Sequence, residues 1–174
     1  MKWMTLVLIF VLAACASPQN LKDREGFTQL PQELRGVDWT RTPEDVLDSP
    51  KEGEPLVWVG QIEEVEVKQQ DTKVEIGWIC RHLEFADPGP AAISKRPIRV
   101  KKGAGYFALS LTIADMSIAR AREFQREHTQ SPHYLLAGGT FCSMIDRHGR
   151  KIPFLITQRI SFGPELVEFV TGPP

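Results

Sequence analysis

A chain of 174 residues and 19.6 kDa has room for one domain and a tether. Its 21 Lys and Arg against 22 Asp and Glu give a formal charge of −1, which excludes a general polyanion binder and with it nucleic acid as a partner. A composition of 42% apolar and 25% charged residues excludes wholesale disorder, yet the apolar residues are unevenly spread. Twelve of the first fourteen positions are apolar, and only Lys2 is charged there.

Met1–Thr5 reads as a short basic segment, followed by the apolar run Leu6–Leu12. That run is far below the roughly 20 apolar residues a membrane span needs and has the length of a signal-peptide core. Leu12-Ala13-Ala14-Cys15 resembles the bacterial lipobox. The resemblance implies cleavage before Cys15 and a membrane anchor of diacylglyceryl and N-acyl groups on that residue. Each buried methylene contributes about 0.8 kcal/mol, so several acyl chains exceed what stable anchoring requires. Ala16, where retained lipoproteins carry Asp, resembles the sorting pattern of the outer membrane. The expected organisation is a signal peptide at 1–14, a lipidated tether at 15–41, a folded domain at 42–169 and a tail at 170–174.

Thr42-Pro43-Glu44-Asp45 has the order of a helix start, with Thr42 as N-cap, Pro43 at N1 and Asp45 closing a capping box. Ser49-Pro50 ends that helix. Strand patterns dominate thereafter. Trp58 and Ile62 share one parity and Val65 and Val67 the other, which predicts a bulge near Gly60–Glu64. Val74, Ile76, Trp78 and Cys80 alternate in a second strand, and Phe107, Leu109, Leu111 and Ile113 in a third. Between them Ala91–Gly105 reads as a basic loop with a short strand at Pro97–Val100. Asp115 or Ser117 can cap a helix running to His128. Tyr134–Ile145 and Lys151–Phe162 then form a hairpin, with a close backbone approach expected at Gly138-Gly139. Three strands, a helix and two more strands predict a mainly β fold: a five-stranded OB-like Greek-key barrel with its helix between strands three and four.

Glu44-Asp45-Val46-Leu47-Asp48-Ser49-Pro50, followed after a short gap by Val57-Trp58-Val59-Gly60-Gln61-Ile62, resembles the Slp family of starvation-inducible outer-membrane lipoproteins. The resemblance covers roughly Thr42–Phe85, with Gln61 standing where the family motif has its second glycine. It implies an envelope lipoprotein and carries no catalytic residues.

The residues themselves offer little chemistry. Cys80 and Cys142 could form one disulfide, worth about 4 kcal/mol in the chain-entropy model, or stay as two separate buried thiols. His82, two residues from Cys80, falls on the same strand face, so an envelope thiol enzyme or redox protein using Cys80 and His82 is the alternative function. No G-x-S-x-G elbow, phosphate-cradling glycine order or cofactor motif is present. His82, His128, His133 and His148 lack the converging spacing of a metal site and read as solvated loop residues. Lys95, Arg96, Arg99, Lys101 and Lys102 crowd one segment and form either a solvated charged surface, partly neutralised by Glu123, Glu127 and the Glu-rich first strand, or the candidate anion-binding group for an anionic lipid head group or an envelope protein. The expected function is non-enzymatic binding or a structural role at the periplasmic face of the outer membrane.

Overall fold

The structure, a computed structural model, describes residues 36–170 apart from 71–72, 95–96, 115 and 130–131. The signal segment, Cys15, most of the tether and of the C-terminal tail, and Lys95 and Arg96 lie outside the described residues.

The chain is mainly β. Its elements run α1 (Pro43–Asp48), β1 (Pro55–Gln70), β2 (Lys73–Phe85), α2 (Pro90–Ser94), β3 (Ile98–Ala114), α3 (Ile118–Thr129), β4 (Tyr134–Arg147), β5 (Arg150–Gly163) and β6 (Val167–Phe169). They form one mixed sheet in the order β2-β1-β4-β5-β3-β6, with a further pairing of β2 to β3. That extra pairing closes β1 to β5 into a ring in which each strand is hydrogen-bonded to two others. All these pairs are antiparallel except β3 with β5, and β6 adds to β3 in parallel.

The alternation read from sequence sets which residues face inward. Trp58, Ile62, Val74, Ile76, Trp78, Phe107 and Leu109 join one buried cluster. The register of β1 against β2 shifts between Ile62 and Glu64, and this bulge lets Val65 reach the same cluster despite its opposite parity. Gly139 sits at a second register shift, where a Cβ would lie 2.3 Å from the Ile156 carbonyl oxygen. Only glycine fits there.

Two helices complete this core. α1 starts with the expected capping box: the Asp45 amide donates to Thr42 Oγ1, and the Asp45 carboxylate accepts from the Thr42 amide at 2.7 Å. The box fixes the helix so that Val46 enters the core. Trp58 Nε1 donates to the Arg41 carbonyl at 2.7 Å, which satisfies its buried N–H. α3 is capped by Ser117, whose hydroxyl accepts from the Arg120 amide at 3.2 Å, and it delivers Ala121 and Phe124.

The segment expected as a basic loop has the expected strand at Ile98–Val100 but is more regular than a loop around it. It holds α2 and the first half of β3, because Ile98 and Val100 are buried while Arg99 and Lys101 alternate outward. These buried residues join Val57, Val59, Leu83 and Leu136 in a second cluster on the other face of the sheet. β6 pairs with β3 beside it, which the sequence reading did not anticipate.

Candidate functional site: a groove under the β4–β5 hairpin

Cys80 and Cys142 are both free. Cys80 faces the buried core with no exposure, whereas Cys142 lies beside the β4 register shift and lines an outer cavity. The strand wall separates them, so the disulfide of the sequence reading gives way to two separate thiols.

Cys80 and His82 do share the inward side, but in surroundings that suppress ionisation. Burial pushes the Cys80 thiol well above its ordinary range, with nearby Glu63 acting in the same direction. His82 is 3% exposed, with its ring centroid 6.1 Å from that of Trp58 and 6.4 Å from that of Phe107. Burial lowers its pKa to about 4, against smaller opposing effects from a backbone hydrogen bond at Ala104 and the Asp45 carboxylate. A thiolate and an imidazolium are each disfavoured there.

His128 is the second histidine that departs from the solvated expectation. It is 8% exposed, stacks on Phe124 at 3.8 Å and bonds through Nδ1 with the Phe124 carbonyl oxygen at 2.8 Å. The helical spacing of Phe124 and His128 places both on the buried face of α3. His133 lies 4.6 Å from His128 between ring centroids, and His148 sits at the exposed hairpin tip. Among the described residues, no three His, Cys, Asp or Glu side chains gather to hold a metal ion.

Of the basic group, Arg99 pairs with Asp87 at 2.9 Å, and Lys101 and Lys102 are exposed on β3. None of them lines the cavity.

That cavity, about 390 Å³, is the feature the sequence reading missed. Its floor is the outward face of β2 and β3: Gly77, Ile79, Ala108 and Ser110, each next to a core residue in sequence. Ile145 and Phe154 of the β4–β5 hairpin pack against Ile79 and Ala108 from above. The hairpin has a two-residue loop, His148-Gly149, with φ of 54° and 74°, the positive values of a type I′ turn. This tight turn aims the tip at β1. Arg147 there contacts the Glu66 carboxylate and lies 3.8 Å from that of Glu64, while His148 Nε2 is 3.2 Å from Glu64. Charged pairs thus tie the hairpin to β1 beside the groove.

Further along the same face, the guanidinium groups of Arg81 and Arg150 stand over the Tyr106 ring, 6.0 and 5.7 Å from its centroid. Arg81 also pairs with Glu63 at 2.8 Å. A signal for the groove was present in sequence: outward positions of β2 and β3 carry small or apolar residues where a solvated face would carry charge. What the strand pattern lacked was the hairpin that covers them. Comparison with protein-family models, curated proteins and solved structures gives no match.

Proposed function

We propose that this chain is an outer-membrane-anchored periplasmic lipoprotein with a non-enzymatic binding role, and that the groove beneath the β4–β5 hairpin is its binding surface. The domain is read as an OB-like Greek-key barrel. Supporting that reading are the cyclic pairing order β1-β2-β3-β5-β4, the parallel β3–β5 contact and a helix between β3 and β4. The observation that carries the binding role is the cavity itself: its volume suits a small molecule, its floor is apolar apart from the Ser110 hydroxyl, and charged groups are confined to its margin. The burial of Cys80 and His82 weighs against the thiol-enzyme alternative.

The anchor rests on the order of basic residue, apolar run, small residues and Cys15. Metabolic labelling with a fatty acid tests it. Wild type is expected to take up label and fractionate with outer membranes, and Cys15→Ser to persist as an unlabelled precursor. A processed and soluble Cys15→Ser product would contradict the anchor while leaving the groove untouched.

A further inference from the structure

We infer that the groove selects a small hydrophobic cation, an alkyl or aryl group bearing an ammonium or guanidinium. The inference rests on the groove being a binding surface and assigns its ligand class.

The floor dictates half of this ligand. Ile79 and Ala108, with Ile145 and Phe154 opposite, offer no hydrogen-bonding side-chain atoms, so an apolar body displaces water there at no polar cost. Gly77 widens the space: a Cβ at that position would meet nothing closer than 3.9 Å.

The margin dictates the other half. Glu64, Glu66 and Glu75 line the cavity against Lys68 and Arg147. Both cations are already engaged, Arg147 by Glu66 and Glu64, and Lys68 by Glu66 at 3.4 Å. Glu75 has no ion-pair partner among the described residues, although Lys68 stands opposite it in the β1–β2 register. The unmet charge at the groove is therefore negative. A cationic head beside Glu75, above an apolar floor that excludes water, meets a stronger attraction than it would in bulk solvent. An anion entering the same space would face three carboxylates and would have to break the hairpin's own pairs.

Cys142 lines the cavity and reports its occupancy. The full-length protein is treated with iodoacetamide in the presence of n-hexylammonium, n-hexanoate or n-hexanol, and alkylation of Cys142 is read by peptide mass mapping. Hexylammonium is expected to protect Cys142 at a concentration about tenfold lower than either other probe, and Glu75→Gln to remove most of that difference. The outward position of Glu75 makes the variant safe for folding, and unchanged thermal unfolding verifies it. Equal or better protection by hexanoate or hexanol, or a preference that survives Glu75→Gln, would overturn the cation assignment and leave the groove a binding surface. No protection by any probe would overturn both.

Discussion

On the inner face of β2 and β3, Val74, Ile76, Trp78, Phe107 and Leu109 pack to closure, whereas the alternating outer residues Gly77, Ile79, Ala108 and Ser110 floor an open cavity. Both faces come from the same strands, and neighbouring residues differ only in which way the pleat turns them. The inner face uses volume: Trp78 and Phe107 are at most 1% exposed. The outer face uses small side chains and borrows its roof from a hairpin distant in sequence. Closure stabilises the fold, and incomplete closure leaves room for a ligand.

The sharpest way to break this comparison is to add one methyl group to each side. Gly139→Ala forces a Cβ against the Ile156 carbonyl oxygen, and its unfolding free energy in urea is expected to fall by at least about 3 kcal/mol. Gly77→Ala enters the groove, where the nearest atoms are 3.9 Å away, and is expected to keep or raise stability by about 0.5 kcal/mol through the unfolded chain. Similar losses at both sites would erase the distinction between wall and groove.

A pH titration probes the closed side. His82 stays neutral when folded down to about pH 4, whereas an unfolded histidine takes up its proton near 6.5. The unfolded state thus binds more protons between these values. Stability is full above about 6.5 and falls as pH drops towards 4, by ~3 kcal/mol in all. Asp45, held below the usual carboxylate range by its Thr42 hydrogen bonds, loses stability in the same direction at lower pH. Urea midpoints across this range are expected to show the slope in wild type and a shallower one in His82→Gln.

The smallest effect belongs to the hairpin tie. Arg147 is partly exposed and its pairs are screened by water, so Arg147→Ala is expected to cost less than about 1 kcal/mol in global stability. Amide exchange at the hairpin tip should nevertheless rise, because the tie to Glu64 and Glu66 is lost. A large global loss would make the hairpin part of the core.

Much of the fold was legible wherever one face of a strand is buried, because alternation then records direction. The bulge near Gly60–Glu64, the Thr42 capping box, Ser117 as a cap and the tight approach at Gly139 all follow from local rules. The groove was not legible, because its roof and floor are joined only by tertiary pairing. The histidines show the same limit. Nothing adjacent to His82 or His128 in sequence reveals that Trp58 or Phe162 closes over it, their ring centroids 6.1 and 5.2 Å away. The short strand at Pro97–Val100 was legible, but not its continuation into β3 or its burial, because Arg99, Lys101 and Lys102 dominate the local composition and the apolar cluster that buries Ile98 and Val100 lies elsewhere in the chain.

Alkylation of the native, unreduced protein without ligand separates the two faces most directly. Peptide mapping is expected to find Cys142 modified on the timescale of an accessible thiol, and Cys80 unmodified until the protein is unfolded. Comparable labelling of Cys80 in the native state, or recovery of a Cys80–Cys142 disulfide peptide, would contradict the division into a closed core and an open groove.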